Sequence, residues 1–363
     1  MTFLKENHLI GIDIGSSFIK VAEFEKIDKK LFLKNFGITA IPPGTIITNP
    51  AAQQNIKNKK IVAKSISNLF KILKINKKNV AISINCSLVT INTITVSKKK
   101  SKQELEKSID FEIKKYIYHD IKNINLDYQI IGTNKFSPEK INVLVVTVKK
   151  NIILEYIDLI NLVRLNLCII DVDIFALQNI YETITPKNEN EIVMLVDIGN
   201  SKTSFNILKE TSSLMIRNNK FGISHIRDKI ISMLNCTIEQ AENIILKSEN
   251  DFITTKEFKK ISLEIAQIWC SEIYSVLNTY DLESKTLKSN KEPVKKIIFS
   301  GGGVFINEFL KTLSLNIPAK ISIFNPFKKG IITSSNFSDS SLNKIAPLSP
   351  VVLGLALRKL GDK

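Results

Sequence analysis

Two short stretches decide how this chain is read: Asp13-Ile14-Gly15-Ser16-Ser17 and Asp197-Ile198-Gly199-Asn200-Ser201. The first ends the apolar run Leu9 to Ile14, and the second ends the run Ile192 to Ile198. A strand-like segment follows each, Phe18 to Phe24 and Thr203 to Leu208. A glycine directly after a strand lets the backbone approach a phosphate with no Cβ in the way. The neighbouring N–H groups then form an anion-binding concavity. Ser16 and Ser17 add hydroxyls and Lys20 a positive charge, while Asp13 and Asp197 suit a hydrated magnesium ion, which prefers carboxylate and water. Two such units about half a chain apart indicate two similar lobes facing one another.

Working outward, Leu31 to Ile38 reads as a third strand, Ile61 to Leu73 as a helix and Val80 to Ile84 as a strand. Ser101 and Glu104 form a capping box for a helix with Leu105, Ile109, Ile113 and Ile117 at helical spacing. Strands Leu126 to Ile131 and Ile141 to Val148, a helix Lys150 to Arg164 and a strand Leu167 to Val172 follow, an order that suits a small α/β insertion. Past the second turn the chain becomes helical. Thr237 and Gln240 form another capping box, and Lys256 to Tyr280 carries a broad apolar face read as core. A polar loop, Asp281 to Pro293, precedes the strand Lys296 to Phe299, then Ser300-Gly301-Gly302-Gly303 and a helix from Val304 to Leu313. Three glycines between strand and helix let a flat ring lie against the backbone. Neither the GxGxxG fingerprint nor a GK[ST] phosphate loop is present.

The length of 363 residues accommodates two domains, and 44% apolar with 24% charged residues is ordinary globular composition. The formal charge of +16 invites a nucleic-acid or membrane reading. The lysines are scattered, however, and the runs at Lys57 to Lys60 and Lys98 to Lys100 lack interleaved aromatics, so solvated loops are expected and no nucleic acid is. Cys86, Cys168, Cys236 and Cys270 are far apart and form no metal or disulfide pattern. Met1 to His8 lacks an apolar core and no run approaches a membrane span, so a cytoplasmic location without membrane insertion is the expectation.

The order DIGSS, DIGNS, FSGGG resembles the phosphate 1, phosphate 2 and adenosine motifs of the actin, Hsp70 and sugar-kinase superfamily. Within it, the sequence resembles the PilM family of actin-like type IV pilus assembly proteins. The match includes Ile10 to Glu23, Glu104 to Gly132, Asn142 to Leu177 and Gly354 to Arg358. This resemblance implies an α/β, actin-like (ribonuclease H-like) duplicated fold with a small inserted subdomain, as in the FtsA branch. Residues 1–86 and 167–188 would form the first lobe and 87–166 the insertion. Residues 189–224 and 294–363 would form the second lobe, with 225–293 a helical subdomain. It further implies ATP and Mg2+ between the lobes, with phosphates at Gly15, Ser16, Ser17, Lys20, Gly199, Asn200, Ser201 and Thr203. Adenosine would lie at Gly301, Gly302, Gly303 and Glu242, and Mg2+ at Asp13 and Asp197.

The implied role is a scaffold at the inner membrane. It would hold the N-terminal cytoplasmic tail of a PilN-like membrane protein between the first lobe and the insertion. Contact with pilus motor ATPases and self-association are further expectations of the resemblance.

The sequence departs from the family pattern at four positions. Lys202 stands where a small or polar residue is usual, and solvent is preferred over phosphate as its environment. Ile223 replaces a glycine, and Arg227 replaces a threonine at the entry to a helix. Ile245 stands where a nucleotide-contacting lysine is usual, with Lys247 two places on. At most a weak ATPase is therefore expected. His225 reads as a surface or capping residue, and His8 and His119 have no partner motif.

Two rivals share the fold. An FtsA-like filament protein would carry a C-terminal amphipathic helix, whereas this sequence ends just after a core-like helix. A small-molecule kinase would use Asp171 or Asp173 as base, although Asp173 reads more simply as a helix N-cap.

Overall fold

The computed structural model describes residues 8–27, 30–48, 54–99, 101–116, 121–134, 136–186, 191–246, 255–286, 292–306, 309–328, 331–333 and 337–362. Lys100, Ile117, His119 and Lys247 lie outside the described residues, as do residues 1–7 and residues 287–291 of the lysine-rich loop.

The first lobe begins with β1 (Ile10–Ile14), β2 (Phe18–Ile27) and β3 (Lys30–Ala40), an antiparallel meander. All of β1 is buried, which is why its sequence is apolar on both faces apart from Asp13. A small hairpin, β4 (Ile46–Thr48) and β5 (Gln54–Ile56), leads to α1 (Lys59–Ile72). The Asn58 side chain caps α1 by accepting the Ile61 N–H. Val62, Ile66, Leu69 and Phe70 turn the helix onto the sheet. Then β6 (Asn79–Ile84) runs parallel to β1.

The insertion contains β7 (Val89–Ser97), α2 (Lys102–Ile113), β8 (Ile124–Asn134) and β9 (Ser137–Lys149). Its strands pair in the order β7-β9-β8, and α2 covers the sheet through Leu105, Ile109 and Ile113. The next helix, α3 (Lys150–Leu162), was assigned to the insertion from sequence. Its buried face, Tyr156, Leu159 and Ile160, instead joins the first-lobe core, and Asp158 meets Lys59 of α1 at 3.4 Å. Helical spacing reveals that a face is apolar, but not which surface it will meet.

β10 (Asn166–Val172) rejoins the first sheet beside β6, and α4 (Asp173–Ile184) crosses to the second lobe. There β11 (Ile192–Ile198), β12 (Thr203–Lys209) and β13 (Ser212–Asn219) form another meander. Helices α5 (Ile223–Leu234), α6 (Ile238–Leu246) and α7 (Thr255–Thr286) follow, and α7 runs farther than its apolar stripe indicated. β14 (Lys296–Ser300) lies parallel to β11, and β15 (Lys320–Ile323) parallel to β14. Between them the expected helix from Val304 is a short 3-10 turn at Gly302–Phe305, followed by α8 (Phe309–Asn316). The second sheet has the order β13-β12-β11-β14-β15, and the first contains β3-β2-β1-β6-β10. Strand for strand, the two sheets share one topology.

The C-terminal segment departs from its assignment to the second lobe. β16 (Ile331–Thr333) adds to the first sheet beside β3, and α9 (Asp339–Ile345) leads to α10 (Pro350–Ala356). α10 packs against α4 and β1 in a core shared by both lobes. Two glycines allow this approach. A Cβ on Gly354 would lie 1.7 Å from the Ala176 carbonyl oxygen, and one on Gly11 would lie 2.4 Å from that of Val352. Since both neighbours are backbone, a side chain there must separate the elements. Gly354→Ala is therefore expected to destabilise the protein by at least the ~1–3 kcal/mol typical of overpacking, read as a lower denaturant midpoint. An unchanged midpoint would contradict the close crossing.

Candidate functional site

The two Asp-Ile-Gly turns close in the same way. Gly15 N–H donates to the Phe18 carbonyl at 3.0 Å, and Gly199 N–H donates to that of Lys202 at 2.9 Å. The turns also touch across the lobes, where the Asn200 amide donates to Ser16 Oγ at 3.2 Å. Gly15, Ser16, Gly199 and Asn200 are thus brought together, with Ser17 and Ser201 half-buried in the same turns. Thr203 is not available to a phosphate. Its hydroxyl donates to the Phe221 carbonyl at 2.7 Å and accepts from the Trp269 indole at 3.2 Å, inside the second lobe.

The two aspartates sit in unlike surroundings. Asp13 faces Lys20 across the β1–β2 ladder, and the Lys20 ammonium lies 2.7 Å from its carboxylate. Ser83 Oγ donates to the other oxygen at 3.2 Å. Asp197 lies beside Ser300, whose hydroxyl donates to it at 2.8 Å. Burial pushes the Asp197 carboxyl above the usual range, against the pull of Ser300 and the charge of Lys20.

The glycine turn after β14 has a packing explanation. Gly301, at φ +86°, would place a Cβ 2.3 Å from the Ile198 carbonyl, and Gly303 would place one 2.1 Å from the Ile198 side chain. These two glycines let the loop close onto the second Asp-Ile-Gly turn, so the two motifs form one packed unit. A Cβ on Gly302 would meet Ile223 Cδ1 at 3.0 Å. The residue that replaces a glycine therefore sits beside the turn expected to receive adenosine. Glu242, expected at adenosine, is paired at 3.3 Å with Arg227, the residue that replaces a threonine at the helix entry. At the start of α5, Ile223 and Ser224 donate their N–H groups to the carbonyls of Gly199 and Asn200. His225 accepts the Gly222 N–H at 3.3 Å, the capping role expected of it.

Lys202 corrects the solvent expectation. It is only 7% exposed, with its ammonium 2.7 Å from Asp173 and 3.0 Å from Cys86 Sγ. Asp173 opens α4 as its first residue rather than as its N-cap. Its other oxygen accepts the N–H groups of Cys86 at 3.1 Å and Ile174 at 2.8 Å. Cys86 Sγ also lies 3.3 Å from Ser204 Oγ. One knot thus joins the end of β6, the start of α4 and the second turn. Burial opposes the Lys202 charge, but Asp173 and Cys86 outweigh it and hold the ammonium above the usual lysine range. Burial raises the Cys86 thiol, against the pull of the Lys202 charge. Asp171 is equally committed. Arg358 donates to it at 2.8 Å and Val172 N–H at 2.8 Å. Neither aspartate of the proposed kinase pair is a free base. Cys86, Ser83 and Ser204 carried no signal in the sequence, because each acts through a partner remote along the chain.

Two matching sheets, with equivalent turns meeting between them, define an actin-like protein. The family model described as type IV pilus assembly protein PilM matches residues 11–360, and the chain belongs to that family. A solved PilM-PilN type IV pilus biogenesis complex contains a chain 19% identical to this one. It aligns 98% of this chain with 99% of that one at a TM-score of 0.83. The ethanolamine utilization protein EutJ from Carboxydothermus hydrogenoformans is 12% identical over 98% of this chain and 90% of its own, at a TM-score of 0.50.

The buried Lys202–Asp173 pair has a direct test. Lys202→Met leaves a buried carboxylate without its cation and is expected to cost about 3–5 kcal/mol. Lys202→Met with Asp173→Asn should recover most of that loss in urea unfolding. Because the folded-state lysine value is raised, the stability from this pair is complete below the unfolded lysine value. It is lost only as pH rises through the folded value. Equal losses in the single and double variants would show that the pair contributes nothing.

Proposed function

We propose that this protein is a nucleotide-binding scaffold of the type IV pilus inner-membrane assembly platform, holding the cytoplasmic tail of a PilN-like membrane protein. The observation that carries this reading is the family match from residue 11 to 360, together with the likeness over nearly the whole chain to a protein solved in a PilM-PilN complex. The tail would lie between the first lobe and the insertion. Val89, Val146 and Val148 carry the insertion sheet into the first-lobe cores, so the insertion can form a firm wall of that cleft. Among the described residues no helix is long and apolar enough to cross a membrane, and association with the inner membrane would run through the partner.

The facing turns support ATP as the ligand between the lobes, with its phosphates against Gly15 to Ser17 and Gly199 to Ser201. The oxygen donors of Asp13 and Asp197 suit Mg2+, which would neutralise phosphate charge there. Lys20 places an ammonium beside the first turn, paired with Asp13. A ligand that touches both lobes favours the closed state by its differential affinity. With Asp173 held by Lys202 and Asp171 by Arg358, neither carboxylate of that pair is free to activate water, which favours binding over efficient turnover.

Titration calorimetry with ATP and Mg2+ tests this reading on the wild type and Asp197→Ala, each with and without a peptide of a PilN-like N-terminal tail. ATP is expected to bind wild type, to bind the variant at least tenfold more weakly, and to tighten peptide binding. A peptide that binds a protein unable to take ATP would leave a scaffold without nucleotide control. A peptide that fails to bind in either state would overturn the partner assignment.

A further inference from the structure

Part of the lysine excess that looks scattered along the sequence lines one helix in the structure. Residues 1–149 hold 25 of the 51 Lys and Arg but only 12 of the 35 Asp and Glu, a net of +13 out of +16. Within this part, Lys57, Lys60, Lys64, Lys71 and Lys74 recur at helical spacing along α1 and its two ends, and all five are exposed. The opposite face of α1 is the buried one, formed by Val62, Ile66, Leu69 and Phe70. Nearby carboxylates are engaged elsewhere, Asp158 with Lys59 and Glu23 with Lys34 and Lys77. Among the described residues, none of the five stripe lysines forms an ion pair. At the end of the stripe Ile72 is 74% exposed.

We propose that this face of α1 docks on a bilayer of anionic phospholipid. The chemistry of the stripe favours that occupant. No arginine occurs before Arg164, so the face lacks the planar fork that reads a shaped phosphate or carboxylate site. Lysines are point charges on flexible stems, which suit a fluid layer of headgroups. The stripe has no interleaved aromatic residue and lies on a convex helix, unlike the grooves with stacking platforms that hold single-stranded nucleic acid. A helix of this length presents its charges over about 21 Å, enough to face several headgroups. Ile72 adds one apolar side chain at the water–lipid boundary. The attraction would turn the first lobe toward the bilayer and add to any separate membrane tether. It does not rest on the partner proposed above.

Vesicle co-sedimentation of the full chain at low and high salt tests the proposal. The lipids are phosphatidylcholine alone and phosphatidylcholine with phosphatidylglycerol. The stripe variant combines Lys60→Gln, Lys64→Gln, Lys71→Gln and Lys74→Gln. A charge-matched control combines Lys98→Gln, Lys99→Gln, Lys107→Gln and Lys114→Gln on the insertion, with circular dichroism confirming that both fold. Wild type is expected to bind only the anionic vesicles and to release at high salt. Each stripe lysine removed should weaken binding roughly fivefold, so the stripe variant falls far below the control. No binding to anionic vesicles, or equal losses in both variants, would overturn the proposal. Tighter binding of wild type to duplex DNA than to the vesicles at the same salt would also overturn it.

Discussion

The ion pair between Lys202 and Asp173 sets the terms for the rest of the molecule. Taking two opposite charges out of water costs several kcal/mol for each ion, and their attraction offsets this only with good geometry and further hydrogen bonds. Those conditions are met here. Asp173 accepts two backbone N–H groups besides the ammonium, and Lys202 also reaches the Cys86 sulfur. The consequence is positional. The second turn, the start of α4 and the end of β6 must stay together, or a charge is left buried alone. The lobes are therefore tied at the very place where a nucleotide would bridge them, and the Asn200–Ser16 contact adds to that tie.

The same closeness governs the glycines. The resemblance suggests that Gly301 to Gly303 serve a ligand, yet Ile198 of the neighbouring Asp-Ile-Gly motif occupies the space a side chain at Gly301 or Gly303 would need. Gly354 and Gly11 serve the crossing of α10 with α4 and β1. Strand, turn and helix thus interlock through backbone contacts that admit no side chain. The polar groups at this site are already mutually engaged, Asn200 with Ser16, Lys202 with Asp173 and Lys20 with Asp13. That state fits a part whose shape matters more than its turnover.

Much of this was legible in the residues. The apolar runs ending in Asp-Ile-Gly became β1 and β11, because a strand buried on both faces needs a sequence that is apolar on both. Ser101 caps α2 as its spacing indicated, and at the start of α6 the Thr237 and Gln240 side chains each accept the other's backbone N–H. Such features act over three or four residues, so short-range spacing exposes them. The charge was legible in amount but not in arrangement, since lysines spaced along one helix become a stripe only when its other face is packed.

Local order along the chain determined the two turns, the duplicated strand pattern, most helices and the family. These depend on neighbours in sequence and on hydrophobic period. Tertiary structure alone decided that Lys202 is buried against Asp173 and that Thr203 faces the Trp269 indole. It also decided that α3 belongs to the first-lobe core and that β16 and α10 return to that lobe. Each of these outcomes joins groups remote along the chain. Their energies come from desolvation and from filling space between elements, and neither leaves a periodic trace in the sequence.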